Sequence, residues 1–195
     1  MFRLSTKRLD LVSATLEHIS AELKSPEQLA LILGAVVSPD WPPGQYDRSA
    51  QEYFRDRLQE DEQNNAGWYT WYAITREQPA TVVGAGGYLG PPNDIGEVEI
   101  GFSVMPSWRR QGYATELVEA LISNAFADGR VSKIIAHTTL QNHESRSVLF
   151  RTGFKRMDTT NDKDDIRFEL KRNEMPAQPG AEADPASGDS LTAVR

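Results

Sequence analysis

A chain of 195 residues, 39% apolar and 25% charged, has the balance of one globular domain with a sizeable core. It holds no cysteine, which excludes disulfides, thiolate nucleophiles and Cys-based metal sites. A formal charge of -7 speaks against broad nucleic-acid binding, and no uninterrupted run of about 18 apolar residues marks a membrane span, so a cytoplasmic protein without nucleic-acid or membrane partners is expected.

In chain order, Leu9–Ser13 reads as a short strand, and 15–33 as one or two helices. Residues 36–46, V-V-S-P-D-W-P-P-G-Q-Y, form a proline-rich break. The spacing of Ala50, Tyr53, Phe54 and Leu58 predicts a helix over 49–63. Two strands, 68–75 and 81–89, read as a hairpin, and Glu97–Val104 as a further strand ended by Met105-Pro106. Ala114, Leu117, Val118, Leu121, Ile122, Ala125 and Phe126 then trace the strongest helical stripe, with Gly129 as its stop. A strand over 133–140, a helix over 144–152, and strands over 154–157 and 166–170 around T-T-N-D-K-D-D complete the folded unit. The order predicts an α/β (α+β) domain over 1–172, with a mixed, mostly antiparallel sheet flanked by helices. Residues 173–195, with three prolines, two glycines and no aromatic side chain, read as a disordered acidic tail.

One segment asks for a ligand. W-R-R-Q-G-Y-A-T-E, 108–116, sets Arg109 and Arg110 against the positive end of the long helix, where acids are favoured. A strand, a proline stop, a basic turn, Gly112 and a helix start aim free backbone N–H groups at one point, a site for a phosphate. The other reading is a solvated basic turn partly offset by Glu116. No G-x-x-x-x-G-K-[ST] and no G-x-G-x-x-G is present. His18, His137 and His143 lack metal-ligand spacing, so no metal is assigned.

Arg109, Gly112 and Ala114 occupy the fixed positions of Q/R-x-x-G-x-G/A, a pattern that resembles the acetyl-CoA loop of the GNAT superfamily of N-acetyltransferases. V-E-I-G-F-S-V, 98–104, looks like that family's fourth strand. Asn142, Ser145, Gly153 and Phe154 match the N-x-x-S/A and G-F pair after its fifth. T-K-R-L-D-L, 6–11, looks like the opening strand of the RimJ/RimL-like branch, the ribosomal-protein N-terminal acetyltransferases. The resemblance spans about 5–170 and implies a sheet splayed between strands four and five, and direct acetyl transfer from acetyl-CoA to a primary amine, on a peptide or a small molecule, by a monomer or homodimer. It further implies that Phe102, Ser103 and Val104 line the pantetheine arm, the last two through the backbone. Arg109, Arg110, Gln111, Gly112, Tyr113, Ala114 and Thr115 would hold the diphosphate, and Asn142 would reach the cofactor.

Glu97 and Glu99 alternate on one strand and share a face, so either could take the proton of an arriving ammonium. The resemblance favours Glu99 as base, with Glu97 beside the substrate, and Ser145 near the thiol. Asn142 also suits a helix cap. Asp40 and Trp41, in the rigid proline-rich segment, could form the wall of an amine pocket; Trp41 equally suits a packing anchor. Phe150 stands where many relatives carry a proton-donating tyrosine, and it cannot donate. Ser145, with Ser147 as a weaker candidate, or a proton relayed from the amine would take over. The reading from another class is a non-catalytic acyl-CoA-binding or sensor domain.

Overall fold

The computed structural model describes residues 1–44, 46–157 and 165–174. Its helices are α1 (Leu16–Glu22), α2 (Pro26–Leu33), α3 (Arg48–Glu60), α4 (Glu62–Asn65), α5 (Tyr113–Ala127) and α6 (His143–Arg151). Its strands are β1 (Arg3–Ser5), β2 (Leu9–Ser13), β3 (Thr70–Thr75), β4 (Val82–Tyr88), β5 (Glu97–Val104), β6 (Lys133–Thr139), β7 (Lys155–Arg156) and β8 (Asp165–Lys171). They form one sheet in the order β1-β2-β3-β4-β5-β6-β8-β7. β5 and β6 are the only parallel strand neighbours among the described residues, joined by α5 as the crossover that parallel pairing needs.

β1 was not expected. Three residues at the edge, with only Leu4 half-buried, are too few to show a period. Because of it, the fourth and fifth strands of the expectation are β5 and β6. The strand expected from 68 begins at Thr70, and the polar turn around 159–164 lies outside the described residues, as does the expected tail beyond Glu174.

Alternation along each strand builds two cores. Trp71 and Ala73 of β3, with Val98 and Ile100 of β5, face Leu117, Val118, Leu121 and Ile122 of α5. Each fully buried leucine there contributes roughly 2 kcal/mol. Tyr72 and Ile74 point the other way, against Ile19 of α1, Leu29 of α2 and Leu58 of α3. Caps fit the local chemistry: Thr15, Ser25 and Asp47 each accept an N–H of the first turn of α1, α2 and α3.

The end of α5 differs from the expectation. Gly129 does not adopt a left-handed conformation there. Instead Arg172 gathers the carbonyls of Phe126 at 2.5 Å, Asp128 at 2.6 Å and Val131. A guanidinium at a helix C-terminus satisfies free carbonyls and complements the dipole.

The strand residues of the second core come from β2, β3 and β4. Over β6 and β8 the same sheet face carries charge instead of a helix. Glu97 Oε2 lies 2.8 Å from Lys133 Nζ and 2.6 Å from Arg167, and Glu169 bonds both cations.

Candidate active site

β5 pairs with β6 only through Glu97↔Lys133, Val98↔Ile134 and Glu99↔Ile135. Beyond that point β5 continues along β4 from Ile100 to Val104, while β6 continues along β8. The two strands therefore part after Glu99, leaving one edge of β5 open just before the basic loop. This is the splay that the resemblance implied.

The loop presents donors without acceptors. The backbone N–H groups of Arg110, Gln111, Gly112, Tyr113, Ala114 and Thr115 have no partner among the described residues. A helix start leaves four N–H groups free, usually relieved by a capping side chain. Gly112 caps α5 with no side chain, and two loop amides are added to the set. Gly112 sits at φ 85° and Arg110 at φ 59°. Glycine holds such an angle without penalty, whereas for arginine it costs on the order of 1 kcal/mol. The loop is thus held in a curl that its own residues do not all prefer.

The grip comes from Arg8. Its Nε donates to Glu116 Oε2 at 2.7 Å, its Nη1 to the Gln111 carbonyl at 2.9 Å, and its guanidinium lies 4.4 Å from the Tyr113 ring centre. Glu116 also accepts from the Arg8 amide and the Thr6 hydroxyl. Burial pushes the Glu116 carboxyl up, but these donors outweigh it and hold it below the usual carboxylate range. Glu116 is therefore matched to Arg8, so the offset of Arg109 and Arg110 that the solvated-turn reading relied on is not seen among the described residues. Arg110 is exposed, and Arg109 folds back over the end of β5, donating from Nε to the Val104 carbonyl at 3.1 Å.

At the parting point Glu99 Oε1 lies 2.9 Å from His137 Nδ1. The parallel register puts Glu99 and Ile135 on one face, and His137, two residues on, shares it. Both side chains are about one-third exposed, at 30% and 32%. Glu97, one step before on the same face, is committed to Lys133 and Arg167. Burial raises its carboxyl, and the two cations bring it below the ordinary value.

A cavity of about 470 Å³ opens on the face away from α5, between β4, β5 and α3. Gly87, Gly101 and Ser103 lie along its floor, and Tyr46, Tyr53 and Phe54 along its wall. Beneath the wall sits Glu22, only 5% exposed. Trp41 Nε1 donates to its Oε1 at 2.5 Å, and the hydroxyls of Tyr46 and Tyr72 donate to its Oε2 at 2.8 Å each. Burial raises the Glu22 carboxyl despite those bonds, and burial raises both tyrosines well above the usual phenol value.

The other residues singled out from sequence fall into four groups. Ser103, Val104 and 109–115 are contiguous at the end of β5 and the start of α5; the Phe102 side chain packs toward the α5 core. Asn142 caps α6, accepting the Ser145 amide at 3.0 Å, so those two residues share the start of one helix. Asp40 is exposed and outside the cavity lining, while Trp41 is buried against Glu22. Phe150 is 52% exposed, its ring edge-on to Phe168 at 5.2 Å. Sequence reasoning gave no role to Arg8, Glu22, His137 or the α3 wall. Only the stripe of Ala50, Tyr53 and Phe54 carried a signal, and it was one of helix packing.

Comparison with known proteins agrees with this architecture. Residues 9–155 match the family described as acetyltransferase (GNAT) domain. The chain is 32% identical over 154 residues to the uncharacterized N-acetyltransferase YjdG of Bacillus subtilis (strain 168), covering 79% of this chain and 90% of that protein. Among solved structures it is similar to a GNAT-family acetyltransferase from Bacillus anthracis, with a TM-score of 0.58, 18% identity, and 89% and 100% of the two chains covered. It is also similar to RimL, a ribosomal-protein alpha-N acetyltransferase determined with coenzyme A, with a TM-score of 0.59, 17% identity, and 87% and 98% covered. With the splayed sheet, the loop before α5 and a family match over most of its length, the chain belongs to the acetyltransferase (GNAT) domain family and is an N-acetyltransferase.

Proposed function

We propose that the chain moves the acetyl group of acetyl-CoA to a primary amine, on a small molecule or a peptide N-terminus, at the point where β5 and β6 part. The observation that carries this reading is the row of six unsatisfied amides at 110–115, set directly after the open edge of β5. A diphosphate suits that cradle, since it would satisfy the amides, meet the positive end of α5 and face the exposed Arg110. Arg109 supplies a second guanidinium at the mouth. The open edge of β5 at Ser103 and Val104 would take the pantetheine arm by backbone pairing, and Asn142, while capping α6, would contact it from the facing helix. The CoA found with RimL is consistent with this placement.

Bound acetyl-CoA supplies an activated thioester carbonyl; the residues manage protons and position. As the new C–N bond forms and the C–S bond breaks, an ammonium acceptor gives up two protons. One ends on the sulfur of CoA and the other on a base. Glu99 takes the second, directly or through water, with His137 hydrogen-bonded to its carboxylate as the next station. Ser145, at the start of α6, is placed to pass a proton toward the thiol, because Phe150 has none to give.

The test is release of free thiol from acetyl-CoA against a panel of primary amines, with Glu99→Gln as control. Amine-dependent release that drops at least 100-fold in the variant supports the reading. Tight acetyl-CoA binding with no release for any amine contradicts it.

A further inference from the structure

The cavity beside Ser103 carries more information than its position. It lies on the face of β5 opposite α5, with Ser103 on its floor at the open strand edge. An acceptor coming from this side would meet the acetyl group without crossing the cofactor. Resting on the transferase reading above, the chemistry of its lining then states what kind of acceptor fits.

No charged side chain lines it among the described residues. Its wall is aromatic: the Tyr46 and Phe54 rings are stacked with centres 6.2 Å apart, and Tyr53 lies edge-on to Phe54 at 5.5 Å. Two acids near it have both their oxygens or their charge engaged by the protein. The Glu22 oxygens are occupied by Trp41, Tyr46 and Tyr72, so its charge is turned into the protein to fix the wall. Glu97 is ion-paired to Lys133 and Arg167. Glu99, two residues before Gly101 on the same face and so about 7 Å along the strand, bonds His137 through Oε1 and keeps its second oxygen toward the cavity's end.

One carboxylate matches one ammonium. A second cationic centre carried into the cavity would lose its hydration with no carboxylate in return, only a cation–π contact, and the Arg57 guanidinium already lies 5.7 Å from the Tyr53 ring centre. An aromatic or aliphatic body, by contrast, would bury against Tyr46, Tyr53 and Phe54. We infer that the acceptor is a monoamine on an uncharged, apolar or aromatic body, seated between α3 and β4–β5, and that polyamines and aminoglycosides are excluded.

The floor and the wall offer separate handles. A Cβ built on Gly101 meets nothing nearer than Leu89 Cδ1 at 3.8 Å, so a side chain there enters the cavity instead of the core. Tyr53, 47% exposed, tolerates a polar replacement at the wall.

Thiol release and calorimetric binding to the CoA-loaded protein are measured with 2-phenylethylamine, hexylamine, spermidine and kanamycin at equal ionic strength. The two monoamines should exceed the polycations at least tenfold in kcat/KM. Gly101→Leu should raise their KM at least tenfold while the KM for acetyl-CoA moves less than twofold. Tyr53→Glu should shift relative preference toward spermidine severalfold, which keeps the test open if Gly101→Leu does not fold. Spermidine or kanamycin matching the monoamines in wild type overturns the inference and leaves the transferase reading standing. If no amine turns over, that reading fails, and the binding order alone decides this one: monoamines tighter supports it, polycations tighter overturns it.

Discussion

His137 Nδ1 stands 2.9 Å from the Glu99 carboxylate, across the point where β5 and β6 part. Neither residue reaches the other through its own strand's hydrogen bonds; the parallel register brings them together on one face. Replacement of His137 by Phe should lower kcat about 10- to 100-fold, and Glu99→Gln by at least about 100-fold. Acetyl-CoA affinity should be unchanged in both. Steady-state kinetics beside calorimetric titration with acetyl-CoA separates the two effects. A His137→Phe enzyme with wild-type kcat would remove the histidine from the proton route.

Arg109→Ala combined with Arg110→Ala should weaken acetyl-CoA binding by at least about 1 kcal/mol, and the loss should shrink as salt rises. Gly112→Val should weaken it further, because φ 85° strains a branched residue and its Cβ would stand 3.3 Å from Arg8 Nη2. Titration at two ionic strengths checks both.

Arg8→Ala should destabilise the fold by about 1 kcal/mol near neutral pH, a figure kept low because the guanidinium is partly solvent-exposed. Its pH dependence has a definite sign. Glu116 has a lowered pKa in the native state, so its contribution is complete above the ordinary value of 4.5 and is lost as pH falls through the native one. The gap between wild type and Arg8→Ala should therefore narrow below pH 4.5, measured by urea unfolding.

Glu22 has the opposite sign. Its native pKa is raised, so wild type loses stability as pH rises from 4.5 through the native value. Glu22→Gln lacks that titration, and the difference between the two proteins should move in favour of Gln as pH climbs through this window. Glu22→Ala, which leaves the buried donors of Trp41, Tyr46 and Tyr72 without an acceptor, should cost at least about 2 kcal/mol at any pH. Equilibrium unfolding across the same range reads all three.

Much of the frame was legible because it is local. The stripe from Ala114 to Phe126 needs only helical period, β5 only alternation, and the loop only the sequence of arginines and glycine before that stripe. What escaped is made at long range. Glu97 looks like a free acid along the chain, yet its partner Arg167 is 70 residues away. The C-terminus of α5 is closed by Arg172, 46 residues beyond Phe126, so the nearby Gly129 drew attention that belonged elsewhere. Glu22 sits on a short helix with no motif around it, and only folding reveals three donors converging on it. Along the chain His137 shows only that it lacks metal-ligand spacing to His18 and His143, whereas its partner Glu99 lies on the neighbouring strand.

If the amides of 110–115 are held free for a diphosphate, nitrogen-15-labelled protein titrated with CoA reads it at those amides. The amide resonances of Gln111 to Thr115 should move downfield on adding CoA and stay in place on adding pantetheine alone, which lacks the diphosphate. CoA binding that leaves those resonances where they were would contradict it.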